Sequence, residues 1–189
     1  LREDFYYKNI KKTLLYNNNT NNLKILNNII DEIHEISLEE YIPNIIHYIF
    51  GLVEQKEEFM FIYYISIFSN ILINKPKIIY FHYQYEPYGY WWNKIKKYLR
   101  LNKINVTNFT VNDKRLIHYA HISDYLRLYY LHKYGGIYYD IDTICIKNHN
   151  ELLKNDLVLG IQEKYNDDYD LICNAIIYSK KNNFFIKLW

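Results

Sequence analysis

The sequence predicts an α/β fold in which a largely parallel sheet is flanked by helices. Short apolar segments bounded by turn residues alternate with longer segments of helical spacing, which is the pattern of such folds. The chain has 189 residues, enough for one domain with a substantial core. Ligands bind this class of sheet at the carboxyl ends of the parallel strands, so polar residues that follow a strand are the first candidates for a functional site.

The individual elements are predicted from the pattern of apolar residues. Strands are predicted at 44–51, 77–83, 105–111, from 137 onward, at 157–162 and at 171–178. Helices are predicted at 57–73, 90–101 and 116–134, and residues 182–189 begin another. The apolar part of the first helix, 59–73, is shorter than the roughly 20 residues that cross a bilayer, which favours a buried helix over a transmembrane segment.

The first 38 residues differ from the rest and are predicted to form a polar, helical extension. Apolar residues follow helical spacing at 23–36, after an Asn-rich stretch that is typical of a solvated loop. Residues 39–189 are predicted to form the core domain. Because the chain begins with Leu1 and stops abruptly at Trp189, we expect a fragment that is incomplete at its carboxyl end, and the lack of a targeting signal decides nothing.

The balance of charge argues against one class of partner. With 23 Lys and Arg against 21 Asp and Glu, the formal net charge is +2, which gives no general case for nucleic-acid binding. The two cysteines, Cys145 and Cys173, lie in apolar runs and are predicted to be buried thiols. They do not assign a compartment. A cytoplasmic protein and a Golgi or secretory protein with an anchor ahead of this segment both stay open.

The stretch from Ser123 to Ile146 carries the strongest chemical pattern. A helix is predicted to stop at Gly135–Gly136, because glycine adopts the left-handed backbone that ends helices, and an apolar strand follows. Alternation along that strand places Asp140 and Asp142 on one face, about 7 Å apart. Carboxylates in an apolar strand need a partner. Two at this spacing favour one hard divalent cation, Mg²⁺ or Mn²⁺.

Two further polar residues lie on the helix before the glycine pair. Asp124 and Arg127 are three residues apart and share a helix face, so they can form an ion pair. Because the glycine turn is tight, the strand folds back beside the helix, and we expect both residues near the pocket of Asp140 and Asp142. The histidines, His47 among them, show no spacing typical of metal ligands.

Three motifs follow one another in this stretch: Ser123-Asp124-x-x-Arg127, Tyr134-Gly135-Gly136 and Ile137-Tyr138-x-Asp140-x-Asp142. An earlier segment reads Ile42-Pro43-Asn44-Ile45-Ile46-His47. Together they resemble glycosyltransferase family 32, the group with an Asp-X-Asp sugar-binding region that includes yeast initiating α-1,6-mannosyltransferases and α-1,4-galactosyltransferases. The resemblance covers roughly residues 42–189. It implies a GT-A fold, the Rossmann-like fold of nucleotide-diphospho-sugar transferases.

The resemblance also implies roles for the four polar residues. Asp140 and Asp142 would hold Mn²⁺, or Mg²⁺, against a nucleotide diphosphate. Asp142 would be the more direct ligand, and Asp140 would also lie near the ribose. Asp124 and Arg127 would hydrogen-bond the donor sugar.

Aromatic residues would complete the donor site on the same resemblance. Phe50 aligns with the aromatic residue that packs on the nucleotide base, and Tyr138 would touch the donor. Asn174 matches an Asn of the family, and a hypothesis places it near one of the sugars. The implied reaction moves a hexose, from GDP-mannose, UDP-galactose or a similar nucleotide sugar, to a glycan, glycoprotein or glycolipid with retention of anomeric configuration. The last metal-contacting segment of the family would lie beyond Trp189.

Two other interpretations stay open. An apolar strand followed by Asp140-x-Asp142-x-Thr143 also fits a haloacid-dehalogenase-type phosphatase, in which Asp140 would be the nucleophile and Asp142 the general acid. That motif normally opens its domain, whereas here an α/β region precedes it. A non-catalytic module that binds a nucleotide sugar or a glycan is the interpretation from another class, and turnover of the donor would distinguish it.

Overall fold

One mostly parallel sheet organises the fold. The computed structural model describes residues 41–165 and 169–189, with side chains described up to 162 and from 172 onward. The strands are β1 (Ile45–Ile49), β2 (Ile78–Tyr83), β3 (Arg100–Lys103), β4 (Thr110–Val111), β5 (Lys114–Arg115), β6 (Gly136–Tyr139), β7 (Leu157–Tyr165) and β8 (Tyr169–Ser179). The helices are α1 (Phe61–Asn74), α2 (Tyr90–Ile95), α3 (Tyr119–Tyr134) and α4 (Phe184–Leu188), and short 3₁₀ turns cover Lys96–Tyr98 and Leu152–Lys154.

The strand order identifies the edge of the sheet that suits a ligand. Within the described ranges, six strands form one sheet in the order β3-β2-β1-β6-β8-β7. Strands β3, β2, β1 and β6 pair in parallel, and β8 pairs antiparallel with both β6 and β7, which confirms the predicted α/β fold. Strand β1 lies between β2 and β6, so the chain first adds strands on one side of β1 and then returns to add β6 on the other side. Ligands bind open α/β sheets outside the carboxyl ends of the strands at such a switch point.

Helices cover both faces of this sheet. Helices α1 and α2 pack on one face, where the core includes Ile67, Phe81 and Trp92. Helices α3 and α4 pack on the other face, where the core includes Leu126 and Tyr138. The two faces are called the α1 face and the α3 face below. Successive side chains along each strand point alternately to these two faces.

Helix α1 begins at Phe61, later than predicted, and ends at Asn74. It ends there because Lys75 adopts a left-handed backbone with φ of 46° and Pro76 cannot continue a helix. The helix is partly exposed rather than fully buried, since Phe61 and Leu72 are more than half exposed. In the described part of the chain, no helix is long and apolar enough to cross a membrane.

The third parallel strand does not lie where the sequence predicted it. Helix α2 stops at Ile95, and β3 occupies Arg100–Lys103, inside the predicted helix 90–101. Pairing with β2 defines this edge strand, and its exposed cations disfavour pairing with another chain. The predicted strand at 105–111 is instead a turn followed by the first strand of the small β4–β5 hairpin.

The carboxyl-terminal predictions agree better with the structure. The strands predicted at 157–162 and 171–178 are present as β7 and β8, both longer than predicted. The predicted final helix is α4, and Asn183 caps it by accepting hydrogen bonds from the amides of Phe185 and Ile186. The predicted helix at 23–36 lies outside the described residues, and the boundary after residue 38 stays a prediction.

Candidate active site

The two carboxylates of the Asp-X-Asp motif lie just after β6. The strand ends at Tyr139, and the next three residues turn away from it. Thr143 closes this turn, because its amide and its hydroxyl both donate to the carbonyl oxygen of Asp140, at 3.1 and 2.8 Å. The prediction that Asp140 and Asp142 alternate along one strand is therefore wrong. Asp140 lies at the strand end, half-buried, and Asp142 lies in the turn, exposed.

The glycine pair at the start of β6 is required by close packing. Gly135 ends helix α3 with φ of 65°, and Gly136 follows with φ of 107°, both in the region that side chains disfavour. A Cβ atom on Gly136 would collide with the carbonyl oxygen of Ile45 in β1, and one on Gly135 would lie 2.7 Å from the amide of Lys181. The helix end predicted from this pair is confirmed. The turn brings α3 directly beside the strand that leads to Asp140.

Arg127 joins the helix to the strand end. Its Nη2 lies 3.1 Å from Oδ1 of Asp124, and its Nη1 lies 3.4 Å from Oδ1 of Asp140. Nη1 also donates to the carbonyl oxygen of Asn174 at 2.7 Å. The arginine is 6 % exposed, and a buried charge persists only with such partners. The structure thus brings three of the four predicted polar residues into one network.

Tyr138 contacts two members of that network, Arg127 and Asp140. It is buried on the α3 face, its ring lies 4.3 Å from Cζ of Arg127, and its hydroxyl donates to Oδ1 of Asp140 at 2.6 Å. Burial raises the pKa of Tyr138 far above its usual value, so the hydroxyl stays a donor. The predicted contact of Tyr138 with a donor substrate stays a prediction.

Opposing effects act on the carboxyl group of Asp140. Burial raises its pKa, while the hydrogen bond from Tyr138 and the charge of Arg127 lower it, and the net direction is upward. The nearby carboxylates of Asp142 and Asp124 also raise it. A cation at this site would favour the ionised form of Asp140.

Asp124 and Asn174 form the outer side of the site. The side-chain amide of Asn174 in β8 donates to Oδ1 of Asp124 at 3.0 Å. The side chain of Asp124 is 45 % exposed. Because Oδ1 already accepts from Arg127 and Asn174, Oδ2 is the oxygen that can accept from an incoming hydroxyl group. The sequence hypothesis for Asn174 near a sugar stays open, but its contact with Asp124 is observed.

Phe50 follows β1 at the same edge of the sheet. It is half-buried, and its ring packs edge-on against Phe59 at 5.4 Å and tilted against Tyr63 at 5.1 Å between centroids. Nearby, a cleft of about 260 Å³ opens between the loops after β1 and β2 and is bordered by Lys103 at the end of β3. Stacking of Phe50 on a nucleotide base stays a prediction.

The chemistry of the carboxylates fits a divalent cation. Tyr138 and Arg127 both contact Oδ1 of Asp140, which leaves Oδ2 to meet a cation together with the exposed carboxylate of Asp142. Within the described ranges, no group of three or more His, Cys, Asp or Glu side chains is arranged to hold a metal ion. A cation here would take its remaining oxygen ligands from phosphate and water, as Mg²⁺ commonly does at nucleotide sites.

Sequence reasoning missed a buried polar cluster next to this site. His47 and His82 are completely buried on the α3 face and are hydrogen-bonded to each other. Each ring nitrogen of both histidines has a hydrogen-bonding partner within the protein. The available signal was a histidine in each of the first two apolar strands, but only the register between strands shows that the two side chains meet.

Comparisons with known proteins identify the family of the chain. Residues 8–159 match the family described as "Glycosyltransferase sugar-binding region containing DXD motif". The chain belongs to this family. The match includes all four predicted polar residues and begins within the predicted extension. It confirms the resemblance stated from the motifs and does not support the phosphatase interpretation.

One relative and one solved structure extend the comparison. The chain is 36 % identical over 158 residues to "Glucan organizing enzyme 1" of Cryptococcus neoformans var. grubii, covering 78 % of this chain and 43 % of that protein. It is similar to the solved structure titled "PaToxG Glycosyltransferase", with a TM-score of 0.55, 22 % identity and coverage of 87 % of this chain and 65 % of the other. This likeness supports the GT-A type of fold. The match spans less than half the length of the fungal relative.

Proposed function

We propose that this chain is the donor-binding core of a metal-dependent glycosyltransferase, which moves a hexose from a nucleotide-diphosphate sugar to an acceptor with retention of anomeric configuration. Membership of the Asp-X-Asp family supports the reaction class. The observation that carries the proposal is the network in which buried Arg127 contacts both Asp124 and Asp140 at the carboxyl end of β6. A cation and carboxylates fixed together at a strand end suit a sugar diphosphate.

Arg127 would supply a fixed positive charge to the leaving group. Departure of a nucleoside diphosphate develops negative charge on phosphate oxygen, and a cation that is already oriented stabilises that charge without reorganising. Asp124, Asp140 and the carbonyl of Asn174 orient the guanidinium. The planar fork of arginine makes several directed hydrogen bonds at once, which a lysine does not reproduce.

Asp124 would bind the transferred sugar. Its side chain is 45 % exposed, while Arg127 and Asn174 contact its Oδ1. Carboxylate oxygens accept hydrogen bonds from hydroxyl groups, and such charge-assisted bonds are short and strong. Asn174 therefore acts as the residue that orients Asp124.

Asp140 and Asp142 would hold Mn²⁺ or Mg²⁺. When bound, the metal acts as a Lewis acid that stabilises the diphosphate. The chain itself orients Asp140 through Tyr138 and Arg127. It leaves Asp142 exposed at the tip of the turn, where its carboxylate can meet a cation without a desolvation cost comparable to that of Asp140.

The nucleoside would lie toward β1 and β2. Phe50 and the cleft of about 260 Å³ are at the carboxyl ends of these strands, on the side of the switch point away from the carboxylates. A partly buried aromatic ring at this edge can offer its remaining exposed surface for a base to stack on. The donor would then extend from this cleft across β1 to Asp140.

A hexose donor and a glycan acceptor are the first substrates to test. The name of the fungal relative refers to a glucan, which supports a glucan or related glycan as acceptor. GDP-mannose, UDP-galactose and UDP-glucose represent the two bases and three common sugars.

The decisive experiment measures hydrolysis of these nucleotide sugars with Mn²⁺, with Mg²⁺ and with EDTA. We expect release of free nucleoside diphosphate from at least one donor, abolished by EDTA and restored by Mn²⁺. The Asp142→Asn variant should lose this activity and the Mn²⁺-dependent binding of the nucleoside diphosphate. Glu151→Gln removes one exposed carboxylate elsewhere and serves as the matched control with unchanged activity.

Other outcomes would select the alternatives. Equal donor binding with EDTA would remove the metal from the proposal. Mn²⁺-dependent binding with no turnover, even with added glucan, would favour a non-catalytic binding module. Release of phosphate from a phosphomonoester, lost in Asp140→Asn, would favour the phosphatase, although Tyr138 and Arg127 already engage the carboxylate that would have to attack.

A further inference from the structure

We propose that a buried hydrogen-bond chain through His47 and His82 is a positioning device for the active site, which fixes the end of helix α3 and thereby the guanidinium of Arg127. The inference rests on the proposed function for the reaction that it affects. The described structure gives neither histidine a contact with Asp124, Asp140 or Asp142. Both would act through the helix.

The chain crosses three strands and ends on the glycine turn. The side-chain amide of Asn102 in β3 lies 2.8 Å from Nδ1 of His82 in β2. Nε2 of His82 lies 3.1 Å from Nδ1 of His47 in β1. Nε2 of His47 lies 3.0 Å from the carbonyl oxygen of Gly135, the residue at the end of α3.

The chemistry of the two ends determines the proton positions. The carbonyl oxygen of Gly135 can only accept, so Nε2 of His47 carries a proton and donates. In a neutral imidazole Nδ1 then accepts, so Nε2 of His82 must also carry a proton. Nδ1 of His82 accepts from the amide of Asn102 in turn. Every nitrogen of both rings is used, and all donors point toward the glycine turn.

Burial keeps both rings in this state. His47 and His82 are completely buried, and desolvation lowers the pKa of His47 to about 4 and that of His82 further. At neutral pH both rings are therefore uncharged, which the one-directional chain of donors requires.

The same histidines also form the surface on which α3 lies. The ring of Tyr130 stacks on His82 with 3.6 Å between centroids, and the ring of Tyr134 stacks on Tyr80 at 5.6 Å. The hydrogen bond to Gly135 restrains the helix along its axis, and the stacked rings restrain its rotation. Arg127 lies eight residues before Gly135 on the same helix, so a shift of the helix end would move the guanidinium with it.

The protein contains a matched control for this idea. His149 is also buried, at 3 % exposed, accepts at Nδ1 from the hydroxyl of Tyr139 and contacts Asn44 through Nε2. Its pKa is also lowered to about 4 by burial. However, His149 lies on the α1 face and contacts no residue of helix α3 in the described structure. Loss of either histidine should cost stability, but only loss of His47 should displace Arg127.

The first test reads the proton positions directly. Nitrogen-15 correlation spectra of the full chain at neutral pH should show His47 and His82 both as the Nε2–H tautomer, with Nε2 protons that exchange slowly with water. An Nδ1–H tautomer at either residue, or rapid exchange at both, would overturn the hydrogen-bond chain. This measurement needs no substrate, so it stands even if the proposed activity is not found.

The second test separates positioning from folding. His47→Leu removes the donor to Gly135, and we expect roughly a tenfold loss of kcat for hydrolysis of the best donor in the folded protein, with a smaller change in KM. His47→Gln offers both a donor and an acceptor and should recover most of that kcat. His149→Leu should lower the unfolding temperature by a similar amount and leave kcat within about twofold.

Equal kcat values in folded His47→Leu and wild type would reject the positioning role, as would equal losses in His47→Leu and His149→Leu. If the wild-type chain hydrolyses no donor, the proposed function fails, and the position of α3 is read instead from amide exchange at Gly135 and Gly136. Faster exchange at these amides in His47→Leu but not in His149→Leu would support the device, and unchanged exchange would reject it.

Discussion

The two faces of the sheet are held to their helices by different balances of apolar and polar contacts, since the α1 face also has a buried hydrogen bond from Asn70 to Tyr48 at 2.8 Å. On the α1 face, large apolar side chains fill the space, with Trp92 packed against Phe59 and Phe81 at 5.4 and 4.8 Å. On the α3 face, the contacts nearest the site are polar, through His47 and Arg127. Apolar packing tolerates small shifts, whereas a hydrogen bond weakens steeply with distance and angle.

This difference separates stability from site geometry. Nondirectional burial on the α1 face stabilises the fold in proportion to the area removed from water. Directional bonds on the α3 face place one guanidinium against two carboxylates. We therefore expect mutations on the α1 face to change mainly the free energy of unfolding, and mutations on the α3 face to change mainly turnover.

The largest expected effect is on the α1 face. Trp92→Ala removes a side chain that is 1 % exposed and should lower the free energy of unfolding by about 4 kcal/mol. The indole also donates to Glu86 at 3.1 Å, and Trp92→Phe tests how much that bond adds. Urea unfolding measures the loss. Donor hydrolysis per folded molecule should stay near the wild-type value, and a large fall in it would break the separation between the two faces.

Acid should weaken both faces, and His82, whose pKa burial also lowers, adds to the effect on the α3 face. Burial lowers the pKa of His47 and of His149 from 6.5 to about 4, so between these values the unfolded chain binds protons that the folded chain does not. The free energy of unfolding therefore falls as the pH is lowered from about 6.5 to 4, by up to roughly 3 kcal/mol for each histidine. The raised pKa of Asp140 acts in the opposite sense just above 3.8.

Unfolding at a series of pH values measures this slope. His149→Gln and His47→Gln should each flatten it, since glutamine does not titrate. A slope that neither variant changes would mean that other groups cause the acid sensitivity. Equal flattening by both would show that His47 and His149 contribute equally to the acid sensitivity.

Features that depend on residues close in the chain were predictable from the sequence, and features that depend on distant residues were not. The glycine turn and the pairing of Asp124 with Arg127 were predictable, because both depend on residues close in the chain. Strand β3 was not predictable, because Arg100–Lys103 has little apolar periodicity and is held by its pairing with β2.

Parts of the site were missed for the same reason. The turn that takes Asp142 out of the strand depends on hydrogen bonds from Thr143 to the carbonyl of Asp140, which the apolar pattern of the segment does not indicate. His47 and His82 are 35 residues apart in the chain, and their contact depends on the register between the two strands that carry them. Neither has a local signature.

On the α3 face, Arg127→Lys should give the largest loss of turnover. Lysine keeps the charge but replaces a planar fork by a single ammonium group, so it cannot hold Asp124, Asp140 and the carbonyl of Asn174 together. We expect about a hundredfold lower kcat in donor hydrolysis, equivalent to roughly 2.7 kcal/mol. Lys154, an exposed cation of the chain, gives the control Lys154→Gln with unchanged turnover. Wild-type turnover in Arg127→Lys would show that charge alone is sufficient.

The smallest expected effect tests one hydrogen bond within that network. Tyr138→Phe keeps the ring that packs under Arg127 and removes the hydroxyl that donates to Oδ1 of Asp140. A single hydrogen bond to a charged group contributes about 1.5 kcal/mol, so we expect roughly a tenfold weaker affinity for Mn²⁺ with nucleoside diphosphate, measured by calorimetry. Because the ring still fills the same space, the unfolding midpoint should move little. A larger loss of stability than of metal affinity would show that Tyr138 acts mainly through packing, as the large side chains on the α1 face do.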